Sequence, residues 1–227
     1  MLVAGGLASG YANQNVIDYV TIQTAGNATD FGDLVSVQNG IAGFSDNTNG
    51  QFAGNWNYNT VIHTVVIQTT GNATDHGDLT VARAYAGGHS SSTHGYTSGS
   101  LPVSNIIDKF TFSADNNATD VGDLFLSRGY STGQSSTTHG YTCGGCRNPS
   151  ETYVYDIHKF AFSSTSSSTD LGDLDIGGLS GKNGSGASST THGYYTGGAG
   201  GAPGNLIHKY SYEGSANSTD VGDLATY

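Results

Sequence analysis

The phrase Thr-Asp-x-Gly-Asp-Leu occurs five times, beginning at Thr29, Thr74, Thr119, Thr169 and Thr219, so successive copies start 45 or 50 residues apart. A period of this length restricts the chain to few architectures, because each unit is one supersecondary element that buries its apolar face only against its neighbours. Before each copy, apolar residues alternate over 16–22, 61–67, 106–112, 155–162 and 206–212. Alternation in runs rich in β-branched and aromatic residues predicts strands.

A second shared segment follows the phrase in the middle copies. Arg83-Ala84-Tyr85 leads to Thr93-His94-Gly95-Tyr96, Arg128-Gly129-Tyr130 leads to Thr138-His139-Gly140-Tyr141, and Thr191-His192-Gly193-Tyr194 repeats the latter half. Each unit therefore reads as four strands: a Gly/Ser-rich one, the Thr-His-Gly-Tyr one, the Ile-Asp-Lys-Phe one, and a short one through Thr-Asp-x-Gly-Asp-Leu. Four short strands in 45 to 50 residues is the size of a propeller blade. The expected fold is all-β: a single five-bladed β-propeller over residues 1–227, with four-stranded antiparallel blades and units ending near 34, 79, 124, 174 and 224. Met1 to Gly6 matches the end of a second strand and Leu224 to Tyr227 lies just past a fourth. The two ends are thus expected to share one blade that is short of its Gly-rich inner strand. An incomplete blade, a strand from a neighbouring chain and a longer protein all remain open.

A Gly-rich strand, a Tyr-containing strand ending in paired glycines and a strand carrying Ile-Asp-x-Phe follow one another here in an order that resembles kelch repeats, across nearly the whole chain. It departs from them in lacking the Trp that often closes their third strand, for the only Trp is Trp56, in a connection. The wording from Val16 to Leu34 also resembles arrays in predicted tail-fibre and other virion proteins of marine bacteriophages. That resemblance implies a virion or extracellular surface setting, as part of a fibre or decoration protein.

The 35 glycines recur at fixed places in the unit, as turn and inner-strand residues, so they do not mark a low-complexity chain. A net charge of −11 argues against nucleic acid or an anionic membrane as partner. No stretch approaches the roughly 20 apolar residues of a membrane helix, and no membrane insertion is expected.

Repeated polar residues read first as structure. The paired aspartates of the phrase have too few accompanying oxygens for a calcium loop and suit a turn. Asn27, Asn72, Asn117 and Asn217, with Asn183, match the glycosylation pattern, and a regular turn explains them without sugar. His94, His139 and His192 share a strand position and are expected to hydrogen-bond within or between blades rather than to hold zinc. His63, His158 and His208 alternate with Asp18 and Asp108 at another position, which points to a solvated site. Cys143 and Cys146 have Cys-x-x-Cys spacing without a second half-site, which leaves a local disulfide or two thiols. No metal or cofactor is expected. Nor is an enzyme: no nucleophile elbow, phosphate loop or isolated carboxylate pair stands out, and a carbohydrate-active enzyme is a distant reading.

The connections between second and third strands, over 7–15, 54–59, 98–105, 144–155 and 197–205, vary most between units and should emerge on one face. A constant scaffold with varying loops is the layout of a recognition surface. Three loops set aromatics beside amides or Arg: Tyr11 with Asn13, Trp56 with Asn57 and Tyr58, and Tyr153 with Arg147 and Asn148. Aromatic faces stack on sugar rings while amides and Arg bond hydroxyls. The expected function is a non-enzymatic binding module for a host-surface glycan or protein. The alternative is a structural virion component that packs against other subunits, including copies of itself.

Overall fold

The computed structural model describes residues 1–147, 152–175, 181–198, 204–214 and 217–225. It is a five-bladed β-propeller, and every described element is a strand. Blade I holds β1 (Leu2–Ala4), β2 (Gln14–Tyr19) and β3 (Thr29–Gln38). Blade II holds β4 (Ala42–Ser45), β5 (Asn49–Ala53), β6 (Asn59–Val66) and β7 (Thr74–Arg83). Blade III follows with β8 (Gly87–Ser90), β9 (His94–Ser100), β10 (Ser104–Thr111) and β11 (Thr119–Arg128). In blade IV the strands are β12 (Thr132–Ser135), β13 (His139–Cys143), β14 (Asp156–Ala161) and β15 (Thr169–Asp173). Blade V has β16 (Gly184–Ser188), β17 (His192–Gly197), β18 (Leu206–Ser211) and β19 (Thr219–Asp223).

Strands within a blade pair in sequence order and antiparallel. Blade I is the incomplete one: its three strands come from the N-terminal residues, and no described C-terminal strand joins them. The strand through the repeated phrase is longer than expected in blades I to III, at ten residues. Its register shifts beside residues such as Ile62 and His63, and pairing then resumes at Asn59↔Arg83 and Ser104↔Arg128.

The core lies between the blades. Ile17, Phe31 and Leu34 of blade I meet Phe52, Val65 and Ala73 of blade II, and three further clusters repeat the arrangement at the next three seams. Aromatic stacking closes two of them, with Tyr96 on Phe162 (4.5 Å, 21°) and Tyr141 on Tyr212 (4.2 Å, 15°).

The repeated phrase acts as a staple along each seam. The first Asp accepts the N–H two residues on, as in Asp75 to Gly77 and Asp120 to Gly122, both at 3.0 Å, which spends that carboxylate on its own turn. Gly77 (φ 138°) and Gly122 (φ 147°) then press against the next blade: a Cβ would lie 2.7 Å from the Asn116 carbonyl oxygen and 2.9 Å from that of Ser166. Only glycine fits such an approach. The second Asp donates its N–H to an Asn of the next blade, Asp33 to Asn72, Asp78 to Asn117 and Asp173 to Asn217, each at 3.0 Å. These asparagines are three of the glycosylation-pattern residues, and their place at a seam is what they have in common.

Asn27 holds the same place in blade I, but no described residue donates to it. Replacing Asn72 with Ala should therefore cost about 1 kcal/mol of stability, while Asn27→Ala should change the urea midpoint by little. Equal effects would mean that the seam bond contributes nothing.

Candidate functional site

Where each outer strand hands the chain to the next inner strand, one residue takes a left-handed backbone: Gly40 (φ 67°), Tyr85 (φ 51°), Tyr130 (φ 56°) and Asn183 (φ 58°). Tyr58 (φ 56°) and Tyr11 (φ 63°), in loops between second and third strands, are also left-handed. Four of the five described non-glycine residues in this region are tyrosines. Tyrosine has no side chain to offset the cost of about 1–2 kcal/mol, as Asn has, so the surrounding structure must hold these rings in place. Strain of this kind concentrates where a molecule works.

The rings form one arc. Trp56 lies 6.5 Å from Tyr58 and 5.7 Å from Tyr85, Tyr85 lies 4.6 Å from Tyr130, and Lys182 Nζ sits 5.6 Å from the Tyr130 ring and 5.7 Å from that of Tyr153. Inside the arc, Tyr85, Tyr130 and Asn183 rim the mouth of the axial channel, a cavity of about 320 Å³ whose other lining includes Ser131, Thr132 and Ser185. Apolar faces thus border a pocket of hydroxyl and backbone groups.

Two buried asparagines set the loop that carries Trp56 and Tyr58. Asn39 accepts the Trp56 N–H on its backbone oxygen (2.8 Å), and its side-chain oxygen accepts the Tyr85 hydroxyl (3.4 Å). Its amide donates to Asn13 Oδ1. Asn55 accepts the Tyr58 N–H (2.7 Å) on its backbone oxygen and the Asn57 N–H (3.2 Å) on its side chain. Burial raises the Tyr85 phenol above its usual value, with Tyr130 and Tyr58 adding to the effect, so it stays protonated as a donor.

Of the residues expected from the loops, Trp56, Tyr58 and Tyr153 belong to the arc, Asn57 is exposed beside it, and Asn13 is a buttress through Asn39. Tyr11 is 87% exposed and touches no described ring of the arc. Arg147 is exposed, its N–H bonded to the Thr152 carbonyl (3.0 Å). Asn148 lies outside the described residues. Tyr85, Tyr130, Lys182 and Asn183 were not anticipated. The repeated Arg-x-Tyr wording at Arg83 and Arg128 was the available signal.

Beneath the rim, four of the five residues at the shared position, His63, Asp108, His158 and His208, are buried to 1% exposure or less, which corrects the expectation of a solvated site there, while Asp18 of blade I is half-buried. The sign can change because its partner changes too. Arg83 Nη2 donates to Asp108 at 2.7 Å, both fully buried; Gln38 bonds His63; Arg128 bonds His158 and Asp156. Burial drives the His63 pKa down to about 4 against a raising effect of Asp75, so the imidazole is neutral. Its Nδ1 accepts the Val35 N–H (3.2 Å), which puts the proton on Nε2, facing the Gln38 side-chain amide; the amide oxygen is the group of Gln38 that can accept it. Asp108 takes the same place in blade III, accepting Thr80 N–H at 3.0 Å.

The other repeated groups are structural. His94, His139 and His192 each bond the hydroxyl of the preceding Thr through Nδ1 at 2.8 to 2.9 Å. Cys143 and Cys146 are buried thiols in this structure, with no disulfide between them. Cys143 donates to Gln134 Oε1 (3.0 Å), and burial pushes its pKa up to about 12, so it is not a ready nucleophile. Among the described residues no group of three His, Cys, Asp or Glu is placed to hold a metal ion.

No family model matches the sequence, and a search of curated proteins finds no significant match.

Proposed function

We propose that this propeller is a non-enzymatic recognition module that binds a glycan across the arc from Tyr58 to Tyr153, with a sugar unit seated at the mouth of the axial channel. The observation that carries this reading is the row of Trp56, Tyr85 and Tyr130 rings beside a polar pocket, with both tyrosines held in a backbone conformation unfavourable to them. Sugar rings present C–H faces to aromatics and hydroxyls to the pocket edge. The likeness of the repeats to arrays in predicted phage virion proteins supports placing the module on a fibre or decoration protein that touches a host surface.

The test is a glycan array followed by titration of the best ligand. Trp56→Ala and Tyr85→Asn should each weaken binding about tenfold or more, which is 1.4 kcal/mol. Asn is chosen for position 85 because Asn183 already occupies the equivalent left-handed site. Tyr11→Ala should stay within about twofold, below half a kcal/mol. An array with no ligand, or unchanged affinity in Trp56→Ala and Tyr85→Asn, would overturn the proposal.

A further inference from the structure

The inner strands of blades II to V follow one pattern, a small residue, Gly, any residue, then Ser: Ala42-Gly43-Phe44-Ser45, Gly87-Gly88-His89-Ser90, Thr132-Gly133-Gln134-Ser135 and Ser185-Gly186-Ala187-Ser188. The structure gives both fixed positions a reason. A Cβ on Gly88 would lie 2.7 Å from the Gly43 carbonyl oxygen; one on Gly133 would collide with Gly88, and one on Gly186 with Thr132 and Gly133. The serines form a chain of bonds, with Ser45 N–H to Ser90 Oγ (3.0 Å), Ser90 N–H to Ser135 Oγ (3.0 Å) and Ser135 N–H to Ser188 Oγ (2.9 Å).

Both series stop at blade I. A Cβ on Gly43 meets nothing nearer than the Phe52 ring at 3.9 Å, and Gly43, Ser45, Gly186 and Ser188 are exposed where Gly88, Ser90, Gly133 and Ser135 are half-buried. Among the described residues no hydroxyl accepts the Ser188 N–H, and no N–H reaches Ser45 Oγ. The axial edge of β1 pairs with no described strand. Beside that edge lies a cleft of about 830 Å³ lined by Leu2, Phe31, Phe44, Phe52, Ile67 and Gly186.

We propose that this cleft binds an extended segment of another polypeptide carrying the small-Gly-x-Ser pattern, which adds to β1 as the fourth strand of blade I. The register follows from blade II. Ala53 pairs with Ile62 as Ala4 pairs with Ile17, so Ala4 corresponds to Ala53. β4 sets Ala42 opposite Ala53, Gly43 opposite Phe52 and Phe44 opposite Gln51. The incoming strand therefore sets its small residue opposite Ala4, its Gly opposite Val3 and its x opposite Leu2. The Gly passes the backbone at Gly186, the x enters the apolar cleft, and the Ser accepts from Ser188 N–H while donating its own N–H to Ser45 Oγ. Main-chain bonds supply affinity and alternate side chains supply selectivity, as in other strand additions.

The probe is a fluorescent peptide of sequence Ile-Ala-Gly-Phe-Ser-Asp, titrated by anisotropy into the monomeric protein isolated by gel filtration. The expected result is saturable one-to-one binding, with protection of the Met1–Ala4 amides from hydrogen exchange. Gly→Val in the peptide should weaken binding at least about tenfold, and Ser45→Ala in the protein about fivefold, the effect of one hydrogen bond. Trp56→Ala should leave peptide binding unchanged, which keeps this site separate from the aromatic arc. Absence of binding, equal binding of the Gly→Val peptide, or a protein whose own head-to-tail association occupies the cleft and excludes the peptide would each overturn the proposal.

Discussion

Alanine in place of Asp108 is expected to lower the unfolding free energy by about 3–5 kcal/mol, because it leaves the Arg83 guanidinium charged and unpaired in the interior. Arg83 donates to Asp108 at 2.7 Å with both side chains fully buried, and its other bonds, to the Gly99 and Ile106 carbonyls at 3.4 Å, are long. Asp108 also accepts from the Thr80 hydroxyl and N–H, so these donors lose their partner as well. The protein carries its own remedy. The seam between blades I and II has Gln38 and His63 where the seam between blades II and III has Arg83 and Asp108, and Val35 N–H bonds His63 as Thr80 N–H bonds Asp108. The double change Arg83→Gln with Asp108→His should recover stability to within about 1–2 kcal/mol of the parent, since a neutral pair replaces a buried ion pair at little net cost. Urea unfolding of the three proteins checks this. A double variant as unstable as Asp108→Ala would show that the two seams are not interchangeable at this place.

Acid should destabilise the fold once the pH falls below about 6.5. Burial lowers the pKa of both His63 and His89 to about 4, against a raising effect of Asp75 on the first and of the Gln134 carbonyl on the second. Each folded value lies below the unfolded 6.5, so the unfolded chain binds more protons between them. The stability from keeping each imidazole neutral is fully present above pH 6.5 and is lost as pH falls towards 4, by about 3 kcal/mol per residue. The unfolding free energy at pH 4.5 should therefore fall below its value at pH 7 by several kcal/mol. His89→Gln tests the assignment, because Gln134 is the equivalent residue of blade IV. That variant should lose the His89 share of the pH dependence, about 3 kcal/mol between pH 7 and 4, and an unaltered slope would clear His89 of the effect.

The fold was legible because its signal is repeated. Alternation at 61–67 and 106–112 marks the third strand of each blade, and the repeated phrase marks the fourth, so five imperfect copies point to one architecture. The seam was not legible. Nothing in Asn-x-Thr says that Asn72 accepts from Asp33, since that bond spans 39 residues and joins two blades. The misreading at His63 and Asp108 has the same origin: one position that tolerates opposite signs looks solvated until the matching change from Gln38 to Arg83 is set beside it, and that match is spatial. The loops gave Trp56, Tyr58 and Tyr153, but the residues that join them, Tyr85 and Tyr130, sit in the repeated part of the unit. Their sign is a left-handed backbone, which sequence shows plainly only when the residue is Gly or Asn.

Because the apolar clusters lie between blades and no single centre gathers them, each sheet is coupled only to the one before and the one after. Such a molecule behaves as a short linear array with nearest-neighbour terms. Opening should then begin at the two end sheets, where Ile22 is 80% and Val221 48% exposed, and should pass inward along the array. Blades III and IV would be last to exchange their amides. Removing or duplicating a whole unit of 45 to 50 residues would change the reach of the array while leaving each remaining contact as it is.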